Sequence, residues 1–445
     1  MEDRVRDTLD REISKFRGDE LELYGIISRG LSLTVKKGRI SELTSFEGLG
    51  VGARVFERGA MGYASTNDLD EVGNCVLKAS KHTRFGERIE GWNGLPPKTY
   101  EKSSKIHNTR HIKVYDKKFE EIEKREIVEL GKNLISDFEE RNVLLSSGSL
   151  SFSMSLEMIY NTSGLRHEEA STEIYVGVEG VAKDGEKVAS AQDFECSRRF
   201  MSSLDPLSER VCKVALDSLN PMKVEKVEGV GLLSPLALYE LLSYTLIPSL
   251  SLDMVIKGRS ALSNKLGSTV SSECLTFVDD GTLDWAMGSG MRDGEGTPSN
   301  RKCVIDRGVL KTFLSDCHTS AKVDGESTGN CVRHNYQSPP DIGIRNLVIM
   351  SHDKISIEEV ERGVLVTSFI GSHTSNPVSG DFSLEVRGGY IIDRGDVAGV
   401  ARKLVVFGNV YEILKSVIGS MDDTRMVGEI ITPTLAFDNM TFLGE

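Results

Sequence analysis

Four side chains in the C-terminal half are of types that bind zinc: Cys317, His318, Cys331 and His334. Two thiolates and two imidazoles would close a tetrahedral site. The spacing is awkward for one. Cys317 and His318 are adjacent, and neighbouring residues on a strand point to opposite faces, whereas structural zinc sites separate each ligand pair by a few residues. A second group is acidic. Asp279, Asp280, Asp284, Asp293 and Glu295 offer the oxygen ligands that suit Ca²⁺ or Mg²⁺, but their order is not that of an EF-hand loop. His167-Glu168-Glu169 has no second histidine downstream and reads as a surface turn, and His373 is a lone loop histidine before Asn376. The glycines at 281, 288, 290, 294 and 296 are not followed by Gly-Lys-Ser/Thr, so they do not form a P-loop. No Ser/His/Asp or Cys/His nucleophile arrangement has local support in the spacing.

The stretch Leu233 to Gly296 organises the rest. Ser234 is a good N-cap, and Pro235 suits the first helical position, where a missing N–H costs nothing. Leu238, Leu241, Leu242 and Leu246 recur at helical spacing. Pro248 is expected to end this helix, since it has no N–H to donate and its ring collides with the preceding turn. An Arg/Ser/Lys-bearing loop follows, then an apolar run from Cys274 to Val278, a turn at Asp279-Asp280-Gly281 and a glycine-rich loop.

The order of these elements resembles the TldD/PmbA family of microbial peptide-processing proteins. The resemblance rests on Leu233-Ser234-Pro235, Lys257-Gly258-Arg259-Ser260, Val278-Asp279-Asp280-Gly281-Thr282 and Asp293-Gly294-Glu295-Gly296. It extends to Gly48-Leu49-Gly50-Val51-Gly52-Ala53-Arg54-Val55-Phe56, to Asn376-Pro377-Val378-Ser379-Gly380-Asp381-Phe382-Ser383 and to Gly408-Asn409, and so covers nearly the whole chain. In the TldD branch the helix after the proline carries His-Glu-x-x-x-His, two imidazoles for one zinc and a glutamate that activates the metal-bound water. The matching positions here are Ser243, Tyr244 and Pro248. Ser and Pro are not zinc ligands, and a tyrosine phenol is a poor base at neutral pH. TldD-type subunits also supply a late cysteine, and this sequence has none beyond Cys331. The pattern is similar to the PmbA (TldE) branch. The resemblance further implies turn-forming and hydrogen-bonding roles for the acidic strand and loop from Asp279 to Glu295.

The bulk numbers limit the alternatives. At 445 residues two or three domains are expected. A formal net charge of −13 argues against a broad nucleic-acid surface, because phosphate binding needs clustered Lys and Arg. Part of the family carries a historical description as modulators of DNA gyrase, and nothing in the charge pattern supports direct DNA contact. No apolar run is long enough to cross a bilayer, and the charged start Met1-Glu2-Asp3-Arg4 lacks the apolar core of a signal peptide, so no membrane and a cytoplasmic location are expected. The seven cysteines include no C-x-x-C pair and are expected to be free thiols.

The fold class expected is α+β. An N-terminal domain over 1–220 layers helices on a twisted antiparallel sheet, with a connector near 87–116, and a β-rich, sandwich- or barrel-like domain covers 221–445. Helices are expected over 5–17, 68–84, 117–141, 206–219 and 409–418. Leu150, Phe152, Met154, Leu156 and Met158 alternate with serines and Glu157, which marks a half-buried strand paired with one near 173–182. The glycines at 48, 50 and 52 read as bulges or close backbone approach. Further strands are expected over 364–370, 382–386, 389–392 and 403–407.

The resemblance implies a subunit of a two-component metallopeptidase acting on unfolded or small peptides. The zinc is then expected in a TldD-type partner, with no cofactor in this chain. An extended peptide can add to an exposed strand edge, and the loops 288–300 and 371–381, with His373, Asn376, Ser379 and Asp381, are the expected groove residues. The partner is a TldD-type subunit or a second copy in a homodimer. Two alternatives stay open: a self-sufficient hydrolase with a displaced metal site at Cys317, His318, Cys331, His334 or His373, and a non-enzymatic interaction protein that modulates another complex.

Overall fold

The computed structural model describes residues 1–97 and 111–444, so the connector expected near 87–116 lies partly outside the described residues. The chain opens with helix α1 (Glu2–Lys15), whose Val5, Leu9 and Ile13 fall four apart and are buried on one stripe. Three strands follow, β1 (Glu20–Lys36), β2 (Arg39–Glu57) and β3 (Ala60–Thr66). The β1–β2 turn is Lys37-Gly38, both at positive φ (51° and 69°), the geometry that lets a tight hairpin follow the strand twist. Helix α2 (Val72–His82) is preceded by a short turn that Asp68 caps by accepting from Asp70 N. The single helix expected over 117–141 is broken in two, α3 (Lys118–Glu121) and α4 (Lys124–Glu140), because Ile122 and Glu123 are extended between them. Strands β4 (Val143–Asn161), β5 (Arg166–Asp184) and β6 (Lys187–Ser197) and helix α5 (Asp205–Asp217) complete this half.

The six strands form one antiparallel sheet in the order β3-β2-β1-β4-β5-β6. Its two faces differ as the alternation predicts. Leu33, Leu150, Phe152, Ile174 and Val176 pack with Leu130, Leu134 and Phe138 of α4 and with Leu207 and Val211 of α5. A second cluster joins Leu21, Leu23, Val51 and Val55 to α1 and α2. The helices therefore cover one face. The other carries the serines of β4 and looks toward the C-terminal half.

That half begins with β7 (Lys226–Leu233), α6 (Pro235–Tyr244), α7 (Leu246–Ser249), α8 (Leu252–Ile256) and β8 (Leu275–Asp280). Ser234 caps α6 by accepting from Ala237 N at 3.2 Å, with Pro235 at the first position, as expected. Pro248 does not end the helix. The break falls at Thr245, at φ −126°, and Pro248 sits in the first turn of α7, where its missing N–H needs no partner. Strands β9 (Arg301–Asp306) and β10 (Val309–Leu310), helix α9 (Cys317–Ala321), then β11 (Cys331–Val332), β12 (Asp341–Ile342) and β13 (Leu347–Ser351) follow.

The remaining elements are β14 (Arg362–Ile370), β15 (Asp381–Asp393), β16 (Asp396–Val400), β17 (Leu404–Asn409), α10 (Val410–Lys415), β18 (Val417–Ser420), β19 (Arg425–Val427), β20 (Ile430–Thr432) and β21 (Leu435–Gly444). The two strands expected over 382–386 and 389–392 are one strand, β15. Pairings β14–β7, β7–β21, β21–β17, β17–β15 and β15–β14 close a barrel-like ring, which accounts for the β-rich character of this half. A second sheet, in the order β10-β9-β8-β13-β20-β19, shares the same core, with Phe277 and Ile305 packed beside Leu241, Leu242 and Phe437. Among the described residues no helix is long and apolar enough to cross a membrane.

Candidate functional site

A cavity of about 860 Å³ lies between the serine face of the N-terminal sheet and the C-terminal half. Its floor is β4 and β5, through Ser155, Glu157, His167, Glu169, Ser171 and Glu173; its roof is Tyr239 and Ser243 of α6, Ile247 and Pro248 of α7, and α8. The loop 287–294 and the segments Cys331–His334 and Asp341–Arg345 complete the wall. Period-two alternation explains the floor: β4 buries its even-numbered apolar side chains under the helices, so its odd-numbered polar ones face the cavity.

Glu157 and Glu169 are directly opposite in the β4–β5 register. Like charges so placed repel unless something offsets them. Burial holds the Glu157 carboxyl above the usual carboxylate range; Arg198 and Arg333 pull it back down, and Glu169 adds to the rise. Glu169 is fixed by Met291 N, which donates to both of its oxygens at 2.9 and 3.0 Å, so the floor strand holds the loop that walls the cavity. His167 Nε2 stands 3.7 Å from Glu169 Oε2. His167-Glu168-Glu169 is thus part of a strand lining the cavity, not a surface turn. Its alternate residues divide between the faces: His167 and Glu169 line the cavity, while Glu168 pairs with Arg6 of α1 on the helix-covered face.

Beside the cavity the two halves are locked by buried charge. Arg54 on β2 donates to both oxygens of Glu22 on β1, at 3.1 and 2.7 Å, and to Glu295 at 3.2 Å. Arg333 also reaches Glu22, and its guanidinium lies 4.4 Å over the Tyr24 ring. The acidic cluster is consumed in the same fabric. Asp279 accepts from Arg345 N and Asn330 Nδ2, each at 2.7 Å, and from Lys302 Nζ at 3.1 Å; Asp280 accepts from Thr282 N at 2.8 Å; Asp284 accepts from Lys113 N at 3.1 Å. Asp293 accepts from Thr297 N at 2.8 Å and Cys331 N at 3.1 Å, and Glu295 from Cys317 N at 2.7 Å. The hydrogen-bonding roles expected for these residues are the ones they fill.

The four zinc-type side chains are not brought together. Among the described residues the metal-type side chains that converge are Glu295, Asp316 and Cys331, whose ligand atoms lie within 4.8 Å of one another, all buried. Only Cys331 belongs to the expected set. Cys317 Sγ is 3.7 Å from Thr297 Oγ1, the His318 ring packs 5.8 Å from Phe56 and 6.1 Å from Trp92, and His334 is on the cavity wall. Burial pushes the His318 imidazole well below its ordinary value. Arg54 already sits against Glu295, so a guanidinium supplies the positive charge that a cation would bring to this cluster.

The expected groove residues fall elsewhere. His373 is exposed in a short 3₁₀ turn (Ser372–Thr374). Asn376 Oδ1 accepts from Val378 N and Ser379 N, Ser379 Oγ donates to Asp381 at 2.6 Å, and Asn409 Nδ2 donates to Asp381 at 2.8 Å. These contacts tie Asn376, Ser379 and Asp381 to one another and to Asn409; the loop docks on α7 through Ser249 Oγ and Pro377 O at 3.1 Å and contributes none of the four expected residues to the cavity wall. By contrast Ser243 and Pro248, two of the three positions expected from the resemblance to correspond to the TldD-branch motif, do line the cavity, while Tyr244 is 45 % exposed and does not. A serine hydroxyl and a proline ring offer no imidazole, carboxylate or thiolate donor, so zinc does not fit these positions. Glu157, Glu169, Arg198 and Arg333 were not foreseen. The only sequence signal for them was the placement of Glu157 on the serine face of its strand.

Three family models match in succession: PmbA/TldA metallopeptidase domain 1 over residues 21–82, the central domain over 117–219 and the C-terminal domain over 231–444. An uncharacterized protein of Methanocaldococcus jannaschii is 30% identical over 427 residues, covering 96% of this chain and 97% of its own. A protein of Methanothermobacter thermautotrophicus named as a metalloprotease is 26% identical over 417 residues, covering 90% of this chain and 87% of its own. Among solved structures, TldE from Thermococcus kodakarensis is 26% identical with a TM-score of 0.85, covering 99% of this chain and 100% of that one. A Thermotoga maritima structure described in connection with a DNA gyrase, 23% identical with a TM-score of 0.86 and covering 99% of this chain and 100% of that one, shares the fold. With all three domain models matched in order around one cavity, the chain belongs to the TldD/PmbA metallopeptidase family.

Proposed function

We propose that the chain is the PmbA/TldE-like subunit of a TldD/TldE-type metallopeptidase that processes unfolded or small peptides, and that it shapes the peptide chamber while a TldD-type subunit holds the zinc. One observation carries this reading: Ser243 and Pro248 stand on the wall of an 860 Å³ cavity, so the chamber is kept where the motif's donors are replaced. The lining suits peptide more than polyanion, since carboxylates at 157, 169 and 173 share it with the guanidinium groups of Arg198 and Arg333. The test is the metal content of the purified chain, by native mass spectrometry, with and without a TldD-type subunit. Zinc is expected only in the mixture, together with peptide cleavage. About one tightly held zinc per chain in the isolated protein overturns the reading and favours a self-sufficient hydrolase. Its loss in Cys331→Ser would then place the ion at Glu295, Asp316 and Cys331.

A further inference from the structure

A second cavity, of about 510 Å³, opens on the same face of the N-terminal sheet. It is lined by Ser149 of β4, Tyr175, Gly177 and Glu179 of β5, Phe194 of β6 and Glu240 of α6. The first cavity is lined by Ser155, by Ser171 and Glu173, and by Tyr239 of α6. The same two strands and the same helix therefore bound both, and Glu173 and Tyr175 are consecutive residues of one strand face. Between the two cavities three aromatic rings form a row, Tyr175 and Phe194 from the lining of the second and Tyr239 from that of the first. Tyr175 stacks on Phe194 at 5.7 Å and 29°, and Phe194 meets Tyr239 edge-on at 5.5 Å and 66°. Tyr175 lies over Gly177, where a Cβ would come within 2.9 Å of its hydroxyl, so the glycine makes room for the ring. Tyr175 remains 39 % exposed.

We infer that these two cavities are one track for an extended polypeptide, with Tyr175, Phe194 and Tyr239 receiving a large apolar side chain at its centre. The inference rests on the peptide reading above and adds the path and the preferred side chain. Three observations support it beyond the cavities themselves. Ser155 lines the first cavity and Ser149 the second, with Ser151 and Ser153 alternating between them on the same strand, and none of the four hydroxyls makes a hydrogen bond among the described residues, unlike Ser147, which donates to Glu179 at 3.4 Å. They recur about every 6.7 Å, the repeat of alternate residues in an extended peptide, and the row spans about 20 Å. Arg333, its side chain 2% exposed, leaves Nη1 without a partner on the wall of the first cavity, where a peptide carbonyl would supply one. The backbone of β4 is paired on both sides, with β1 and β5. Recognition therefore runs through side chains across the sheet face and not through strand addition at an edge. Hydroxyls that donate or accept, with one aromatic contact, give a track that tolerates sequence and favours an unfolded chain bearing Phe, Tyr or Leu.

The test uses two fluorescein-labelled, unstructured ten-residue peptides, one with a central Phe and one with Ala in its place, against the full chain alone and with a TldD-type subunit. The wild-type protein is expected to bind the Phe peptide about 10-fold more tightly, the ratio that burying one aromatic side chain gives. Phe194→Ala and Tyr175→Ala are expected to remove that preference, the second being the exposed position that a folding defect does not confound. Ser151→Arg, which fills the track between the cavities, is expected to weaken both peptides about 10-fold or more. Binding of both peptides with equal affinity, unchanged in all three variants, overturns the track and leaves the peptide reading standing. No binding or cleavage of either peptide, with or without the TldD-type subunit, overturns both.

Discussion

Arg54, on the second strand of the N-terminal sheet, donates to Glu295 in the C-terminal half across 3.2 Å, and both side chains are at most 1% exposed. Two chain segments that share no sheet are thus joined by a guanidinium that also pairs with Glu22. The two sides of the contact are not equivalent. Burial together with Asp293 and Asp316 holds the Glu295 carboxyl above its usual range, which favours its neutral form, while Arg54 stays charged. Arg54→Ala leaves Glu22 buried without its main partner and should destabilise the protein by about 3–5 kcal/mol. Glu295→Gln keeps an acceptor for Cys317 N and loses a charge that is already disfavoured, so it should cost less, about 0–2 kcal/mol. Urea unfolding of both variants checks this. Equal losses would mean that Glu295 is fully ionised in the lock.

Glu240 gives the stability a pH dependence of unusual sign. It accepts from Phe369 N at 2.5 Å, and burial pushes its carboxyl from 4.5 up to about 7. A carboxyl raised in the folded state is protonated more readily there than in the unfolded chain. Below about pH 4.5 it is protonated in both states and contributes no difference. Between 4.5 and 7 the unfolded chain ionises first, so folding stability falls as pH rises, and above 7 the full penalty is present. Glu240→Gln keeps the acceptor and removes the charge. It should match the wild type near pH 4 and exceed it by up to about 3 kcal/mol near pH 8. A constant offset at both pH values would assign the effect to packing.

The elements around the cavity were more legible in the sequence than the cavity itself. Ser234 and Pro235 announce the start of α6 because a cap and an N-terminal proline act locally, and the alternation of β4 announces which of its faces is apolar. Chemistry on the other face depends on register, which no local pattern carries: Glu157 meets Glu169 only through the pairing of β4 with β5, and Arg198 and Arg333 arrive from later segments. The His167-Glu168-Glu169 run was misread because local polarity does not separate a surface turn from a strand whose His167 and Glu169 line a cavity. Pro248 was misread for a related reason. Its missing N–H forbids a helix interior but permits a first turn, and only the break at Thr245 decides between them.

The glycines of β2 show close approach without a bulge. The β1–β2 register runs unbroken through Gly48, Gly50 and Gly52, and none of the three has positive φ. Their role is space. A Cβ on Gly50 would lie 2.2 Å from Tyr336, and one on Gly52 would lie 2.1 Å from the Tyr63 hydroxyl, which donates to the Tyr336 carbonyl at 2.8 Å. Tyr336 in turn packs on Tyr24, Ile159 and Leu165 beside the cavity. Gly50→Ala should displace the Tyr336 ring and loosen the segment that carries Arg333 and His334, at a cost of about 1–3 kcal/mol. Arg333 is shielded by Glu22 and Tyr24 in the native protein, so trypsin should cut after it faster in the variant than in the wild type. Unchanged cleavage and unchanged unfolding would show that Tyr336 moves aside freely and does not hold the cavity wall.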